Sequence, residues 1–179
     1  AVSAELGYRY SPQNFDLKAS VFQRTSHDAI DWIKNSSEEI WKAANIGNLQ
    51  TKGLEVEATT RLKNAGTTLK ISYTYLDNQI KKSAAFSKYV AENLRHQLIG
   101  SVQNRFLSYF TNELTYRYLE RVSTGSYHVL DEKLAFRKSD FEIYVLVNNL
   151  TNSAYTEAFG VPMPGRWFHI GASYTLKSF

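Results

Sequence analysis

Alternation of apolar and polar residues with a period of two recurs along most of this chain. In the segment 168–176 every even position is apolar, and the odd positions hold His, Gly, Ser and Thr. The same pattern occurs in 2–10, 54–62 and 67–75. Because successive side chains of a β-strand point to opposite faces of a sheet, this period predicts strands with one apolar and one polar face. The chain is therefore predicted to be all-β and antiparallel.

About nine strands are predicted, joined alternately by short turns and longer loops. Their length of about 10–14 residues exceeds the roughly 5–6 residues of soluble sheets and suits a tilted membrane crossing. Short turns at one end and long loops at the other are typical of outer-membrane barrels. A short helix is expected near residues 86–92. The short turns are predicted at 11–14, 63–66, 104–108 and 138–140, and the long loops at 34–40, 77–93, 121–126 and 148–164.

Aromatic residues make up 14% of the chain and concentrate at two levels of the predicted strands. Rings at two levels are expected to form the interfacial girdles of a membrane barrel. One group flanks the short turns and the other lies toward the long loops: Tyr8, Tyr10, Phe15, Phe106, Tyr109, Phe110, Phe136 and Phe141, and then Trp32, Trp41, Tyr73, Tyr75, Tyr116 and Tyr118.

Several function classes have no support in the sequence. The chain has no cysteine, which excludes disulfides and cysteine-based zinc sites. No HExxH or Gly-x-Ser-x-Gly motif occurs, so we predict no catalytic site, no metal site and no cofactor. The net charge of +4 is mild and its basic residues are scattered, so no nucleic-acid surface is predicted. The four histidines lie far apart in sequence: His27, His96, His128 and His169.

The alternation favours an antiparallel up-and-down transmembrane β-barrel but leaves alternatives open. A soluble antiparallel sheet also alternates, so a soluble carbohydrate-binding β-protein remains an alternative. A small outer-membrane barrel enzyme is the other, although it would need a catalytic cluster. No apolar run approaches the about 20 residues of a transmembrane helix.

Four segments carry a resemblance to a known family. Asn45-Ile46-Gly47, followed by the segment 52–57 that contains Gly53 and Glu55, resembles an "N-x-G…G-x-E" strand. The segment 71–77 resembles a "sYtYld" strand, and 148–155 resembles "v-x-N-L-x-N-x-x-Y". Pro164-Gly165-Arg166 then leads into the last strand, as "PGR" does. In this order and spacing the chain resembles the C-terminal part of a TonB-dependent outer-membrane receptor.

The resemblance implies a barrel of about 22 strands with a plugged lumen, of which residues 1–179 would supply roughly the last nine strands. Ala1 is not followed by the basic and apolar regions of a signal peptide, so we expect the plug, the TonB box and the first strands to lie upstream. The implied function is active transport, without enzymatic activity, of a scarce ligand of iron-siderophore or cobalamin type. The implied partners are the TonB–ExbB–ExbD system, acting through the plug, and outer-membrane lipid and lipopolysaccharide. The implied location is the outer membrane of a Gram-negative bacterium.

The candidate site residues fall into three groups. Aromatic side chains near the long loops are the ligand-binding candidates, with a girdle or loop-packing role as the alternative for each. The end of the chain is expected to be the outer-membrane insertion signal, although Phe179 is one position out of phase with Tyr174 and Leu176. An isolated piece with two open sheet edges is expected to self-associate through them. The ligand-binding candidates are Trp32, Trp41, Phe86, Tyr89, Tyr155 and Phe159, the insertion signal is Tyr174, Leu176 and Phe179, and the family motif is Asn149, Leu150, Asn152, Tyr155, Pro164, Gly165 and Arg166.

Overall fold

A computed structural model describes residues 1–80, 86–88, 94–122, 125–158 and 161–176. Within these ranges the regular structure consists of β-strands and one short 3-10 turn at Lys63–Ala65. The strands are β1 (Val2–Tyr10), β2 (Phe15–Lys34), β3 (Lys42–Leu62), β4 (Thr67–Ile80), β5 (Phe86–Ser87), β6 (Leu94–Phe106), β7 (Phe110–Arg121), β8 (Gly125–Lys138), β9 (Phe141–Asn148), β10 (Thr156–Ala158), β11 (Val161–Pro162) and β12 (Trp167–Tyr174).

Nine long strands form one antiparallel meander in the order β1-β2-β3-β4-β6-β7-β8-β9-β12. Each long strand therefore pairs with its neighbours in sequence, as in the wall of an up-and-down barrel. The short strand β5 adds to the end of β2, and β10 and β11 form a small separate hairpin. The predicted all-β antiparallel fold and its count of about nine strands are confirmed.

The register of the sheet separates its two faces. Across three strands Ala19 lies opposite Val56, and Val56 lies opposite Tyr73, so apolar side chains line up on one face, which we call the outer face. On the other face, the inner face, Lys18 Nζ lies 2.9 Å from Glu57 Oε1, and Lys70 Nζ lies 3.4 Å from Glu57 Oε2. Ion pairs on the inner face and apolar side chains on the outer face are what a membrane barrel requires.

Aromatic rings lie at two levels of the sheet, as predicted. On the short-turn side, the ring of Phe110 lies 5.5 Å from that of Phe106 and 5.2 Å from that of Phe136. On the long-loop side, two histidines lie beside the tyrosines. The rings of His96 and Tyr75 are 5.0 Å apart, and those of His128 and Tyr116 are 6.4 Å apart.

Three predicted boundaries are wrong. The helix expected near 86–92 is absent at Phe86–Ser87, which form β5 and pair with the end of β2, while 89–93 lie outside the described residues. Residues 77–80, predicted as the start of a loop, belong to β4, which continues to pair with β3 as far as Leu49. The last strand ends at Tyr174, although the Thr175 N–H still donates to the Asp140 carbonyl at 2.8 Å.

Within the part of the chain that the structure describes, no helix is both long and apolar enough to span a bilayer.

Candidate functional site

The loop between β9 and β12, residues 149–166, folds back on itself around Asn149, and we call it the 149–166 clasp. Asn149 is 1% exposed and has a left-handed φ of 52°. Its Oδ1 accepts the Ser153 N–H at 2.9 Å, and its Nδ2 donates to the carbonyls of Ser153 at 2.8 Å and Pro164 at 3.3 Å. Asparagine tolerates the left-handed conformation and hydrogen-bonds the nearby backbone, which explains this residue type here.

Asn152 and Gly165 close the other side of the clasp. Asn152 also has a left-handed φ of 55°, and its Oδ1 accepts the Arg166 N–H at 2.8 Å. A Cβ atom at Gly165 would lie 2.6 Å from that same oxygen, so the close approach requires glycine. The Leu150 N–H donates to the Leu130 carbonyl at 2.6 Å and so ties the clasp to β8. The family-motif residues therefore form one structural unit.

A cluster of polar side chains on the inner face of β7 and β8 binds the clasp through a hydrogen bond and an ion pair. Asp131 Oδ1 accepts the Asn149 N–H at 2.8 Å, while Asp131 Oδ2 lies 2.9 Å from Arg117 Nη2. Arg117 Nη1 in turn lies 3.6 Å from Glu157 Oε1, which belongs to β10. Arg117 therefore contacts the clasp directly at Glu157, and its partner Asp131 contacts the clasp at Asn149.

Tyr127 of β8 and Tyr155 of the clasp stack with their ring centroids 4.8 Å apart. This offset stack adds an apolar contact to the ion pairs. Val129, the next inward residue along β8, is fully buried. Together the stack and the ion pairs fix the clasp against the inner face at the long-loop end of the sheet.

A second cluster lies at the loop end of β2 and is formed by Lys34, Trp41 and Phe86; we call it the Lys34 cluster. Lys34 Nζ lies 5.1 Å from the centre of the Trp41 ring and 5.2 Å from that of Phe86. The pairing of Lys34 with Phe86 in the β2–β5 register positions the phenyl ring. A lysine ammonium at this distance from two aromatic rings is held by cation–π attraction.

The anchor beneath the Lys34 cluster is Asp31, which is almost fully buried. Its carboxylate accepts hydrogen bonds from the Ser87 hydroxyl and from the Trp32 N–H. The Lys88 N–H donates to the Trp32 carbonyl at 2.9 Å. These contacts fasten β5 to β2 and therefore fix the position of Phe86.

The structure does not bring all the ligand-binding candidates into one site. Trp41 and Phe86 share the Lys34 cluster, and Trp32 lies two residues before Lys34 with its side chain exposed. Tyr155 stacks on β8, and β4, β6 and β7 separate that strand from β3 in the sheet. Tyr89 and Phe159 lie outside the described residues.

The proposed insertion signal is described only in part. Tyr174 ends β12 on the outer face, opposite Phe141, and Leu176 follows it as an exposed side chain. Phe179 lies outside the described residues. Its role as part of the signal therefore stays a prediction.

The residues that hold the two clusters together were not among the predicted site residues. Lys34 was predicted to begin a polar loop, and Arg117 and Asp131 were not singled out. Their charges were visible, but the pairing of Arg117 with Asp131 follows from the β7–β8 register, in which Thr115 lies opposite Asp131 and Arg117 opposite Val129. In the described residues no group of three or more His, Asp or Glu side chains could hold a metal ion.

The "N-x-G" segment of β3 also has a structural role. Asn45 Oδ1 accepts the Gly47 N–H at 2.7 Å, and Gly47 has a positive φ of 80°. Asn45 Nδ2 donates to Asp28 Oδ1 at 3.1 Å across a register shift between β2 and β3. The motif therefore forms a β-bulge on the loop side of the sheet, where bulges re-aim strands.

A meander with an apolar outer face, an ion-paired inner face and two aromatic levels defines the wall of an outer-membrane barrel. The family model described as TonB dependent receptor-like, beta-barrel, matches residues 1–175. The chain belongs to this family of TonB-dependent receptors. A comparison with curated protein sequences found no match.

Solved structures of related fold include three transport proteins. The FrpB iron transporter from Neisseria meningitidis (F3-3 variant) shares 20% identity with a TM-score of 0.76, and the match covers 96% of this chain and 30% of that chain. The copper transporter OprC shares 16% identity with a TM-score of 0.79, covering 97% and 31%. The ferric yersiniabactin uptake receptor FyuA from Yersinia pestis shares 20% identity with a TM-score of 0.68, covering 95% and 28%. This chain thus spans about 30% of the length of such structures.

Family membership decides several expectations. TonB-dependent receptors reside in the Gram-negative outer membrane, which confirms the predicted location. They are transporters, which confirms the prediction that the chain is not an enzyme. The soluble carbohydrate-binding protein and the small barrel enzyme are accordingly set aside.

Proposed function

We propose that this chain is the C-terminal part of a receptor barrel that binds a scarce metal chelate at its outer loops and imports it with energy from TonB. The observation that carries the proposal is the nine-strand meander, matched by the family model over residues 1–175. In the proposal the plug and the remaining strands belong to the rest of the protein. The plug would transmit force from the TonB–ExbB–ExbD system, and lipid and lipopolysaccharide would surround the wall.

The ligand class in this proposal is a ferric siderophore or cobalamin. Support comes from the relatives of similar fold, whose descriptions name an iron transporter, a copper transporter and a ferric yersiniabactin receptor. Each of those proteins handles a metal ion or its chelate. A chelate of this kind is the cargo and not a resident cofactor.

The proposed ligand contacts begin with the Lys34 cluster. Its ammonium group can pair with an anionic group of the chelate, and the rings of Trp41 and Phe86 offer flat apolar surface. Tyr155 on the clasp, together with Trp32, Tyr89 and Phe159, completes the proposed contact set.

The test uses the full-length protein in the outer membrane of a strain that lacks other receptors. Uptake of ferric siderophores of several classes and of cobalamin is measured with and without TonB. One of these ligands should accumulate only when TonB is present. Accumulation that is equal in both strains would contradict the proposal, as would binding of none of them.

Ligand contact is tested by the double substitution of Trp41→Ala with Phe86→Ala. Binding of the transported chelate should weaken about tenfold, because two cation–π and stacking surfaces are lost. The matched control is Ile40→Ala, since Ile40 is 77% exposed and precedes Trp41 directly. Equal affinity of the double variant and the control for the chelate would show that the Lys34 cluster is not part of the binding site.

A further inference from the structure

Arg117 is shared unequally between two carboxylates on the inner face of the wall. Its Nη2 donates a hydrogen bond to Asp131 Oδ2 at 2.9 Å. Its Nη1 lies 3.6 Å from Glu157 Oε1, which is beyond hydrogen-bonding distance. Asp131 is fixed further by the Asn149 N–H. Asp131 is therefore the firm partner of Arg117, whereas Glu157 is attracted by its charge without a hydrogen bond.

Two polar atoms at this ion pair have no hydrogen-bond partner among the described residues. They are Arg117 Nε and the Tyr127 hydroxyl, and both atoms are buried. The charges of Glu157, Arg121 and Arg117 all act on the Tyr127 hydroxyl, so it belongs to the same cluster. A buried donor without an acceptor costs free energy, and a bound acceptor would remove that cost. Because both atoms can donate a hydrogen bond, the group that fits them is an anionic oxygen.

Glu157 belongs to the β10–β11 hairpin of the clasp. The Met163 N–H donates to the Tyr155 carbonyl at 2.9 Å and extends the pairing of this hairpin. The hairpin reaches the wall through the side chains of Glu157, on Arg117, and of Tyr155, on Tyr127. The Glu157 side chain is 35% exposed, so a solute can compete with it for Arg117 while the strands of the wall stay paired.

We propose that Arg117 and Tyr127 form a binding site for an anionic oxygen of the transported chelate, and that Glu157 occupies this site until the chelate displaces it. The inference rests on the proposed function, because it describes what the chelate does at the wall. In the empty receptor the Arg117–Glu157 ion pair holds the β10–β11 hairpin against β7. In the loaded receptor Asp131 keeps its hydrogen bond to Arg117, and the hairpin is released from the guanidinium. Binding at the wall and release of the hairpin are then one event.

The exchange of partners is favourable because Glu157 is the weaker anion at this site. A partly exposed ion pair contributes little stability, so its loss is easily offset. An incoming oxygen would make charge-assisted hydrogen bonds with Arg117 and Tyr127, which Glu157 does not make. A chelate shifts an equilibrium between two states only by binding one of them better, and these hydrogen bonds supply that difference.

The test measures chelate affinity of the full-length receptor in detergent with four probes. Ferric citrate and ferric enterobactin are anionic, whereas ferrichrome and cyanocobalamin are neutral. An anionic probe should bind, and Glu157→Gln should raise its affinity about two- to fivefold because the internal competitor is removed. The matched control is Glu142→Gln, which removes the same charge from an inner-face carboxylate paired with Lys133 and Arg137. This control should leave the affinity unchanged.

The gain in affinity should depend on Arg117. In an Arg117→Met background there is no guanidinium to release, so Glu157→Gln should give no gain. Tyr127→Phe keeps the ring that stacks on Tyr155 and removes only the hydroxyl. It should weaken binding of the anionic probe about tenfold, because a hydrogen bond to a charged group is lost. Heat-modifiable migration confirms that each variant has folded as a barrel.

Hydrogen exchange separates displacement of Glu157 from a hairpin that is merely loosened by the substitution. Without a chelate, Glu157→Gln should speed exchange of the Met163 amide, because the ion pair no longer holds the hairpin. With the anionic probe at saturation, the unsubstituted receptor and the variant should exchange alike, since Glu157 is detached from Arg117 in both. A difference that persists at saturation would show that Glu157 stays on Arg117, and the proposal would be wrong.

Two affinity results would also overturn the proposal. One is an equal gain from Glu157→Gln with and without Arg117, which would assign the effect to long-range charge. The other is binding of neutral probes alone; TonB-dependent uptake of such a probe would leave the proposed function standing. If none of the four probes binds, the proposed function and this inference are both contradicted.

Discussion

Asn149 holds the 149–166 clasp in its folded-back conformation at the long-loop end of the sheet. Its amide group makes three hydrogen bonds within the clasp, and its N–H donates to Asp131 of the wall. A buried side chain that makes this many bonds leaves several groups unsatisfied when it is removed. Asn152 has a similar role with a single hydrogen bond, which its Oδ1 accepts from the Arg166 N–H.

Asn149→Ala should therefore lower the free energy of unfolding of the full-length barrel by about 2–3 kcal/mol. The measurement is denaturant unfolding of the refolded protein in detergent. Thr151→Ala is the control, because Thr151 is an exposed residue of the same loop. Equal stability of the two variants would show that the hydrogen bonds of Asn149 do not hold the clasp.

Gly165→Ala should destabilise the barrel by about 1–3 kcal/mol through overpacking against Asn152 Oδ1. Combining it with Asn152→Gly should cost less than the sum of the single changes, because the clashing oxygen has been removed. Gly100→Ala is the matched control, since nothing lies within 4 Å of the Cβ it would gain. Additive effects of the two changes would refute the contact.

At the scale of elements, β7, β8 and the clasp form one unit joined by Arg117. Arg117 Nη2 lies 2.9 Å from Asp131 and its Nη1 lies 3.6 Å from Glu157. The Tyr127–Tyr155 stack lies between the same elements. A clasp fixed at these points can hold a loop residue such as Tyr155 in one position.

Arg117→Met should loosen the clasp without unfolding the wall. The backbone amides of Ser153 and Arg166 should exchange hydrogen about tenfold faster, a loss of about 1.4 kcal/mol in local stability. The measurement is hydrogen exchange followed by mass spectrometry. Lys18→Met, which removes a different inner-face ion pair with Glu57, should leave clasp exchange unchanged. If both variants speed exchange equally, Arg117 has no special role in the clasp.

At the scale of the whole molecule, the sheet has β1 at one edge and β12 at the other. An edge strand presents a row of unpaired backbone groups that can join another chain. In a closed barrel both edges are paired, and no such row remains. The behaviour of these 179 residues alone should therefore differ from that of the full-length receptor.

The isolated polypeptide should form oligomers in detergent at micromolar concentration, whereas the full-length protein should not associate through its strand edges. Light scattering coupled to size-exclusion chromatography measures the mass of each. Dilution should shift the mass distribution of the isolated polypeptide, since association depends on concentration. A monomer at every concentration would contradict the expectation.

Sequence patterns predicted the sheet because each strand shows its two faces along its own residues. The outward Leu54, Val56 and Ala58 alternate with inward glutamates, and no knowledge of neighbours is needed to see it. The same reasoning failed at the long-loop end of β4, which continues through Asp77 to Ile80. Asp77, Asn78 and Gln79 are polar on both faces of the strand, so this segment has the composition of a loop. Phe86 was misassigned because its strand exists only through pairing with β2.

The sequence by itself determined the fold class, the strand count and the family, because alternation and local motifs are encoded within single strands and loops. Only the tertiary structure decided which side chains meet. Lys34 with Trp41 and Phe86, Arg117 with Asp131, and Asn112 with Glu132 are contacts between strands or across loops. Such contacts depend on register, and a shift of one residue would exchange the two faces. Register is set by the pairing of strands and by the turns that join them, which no single segment contains.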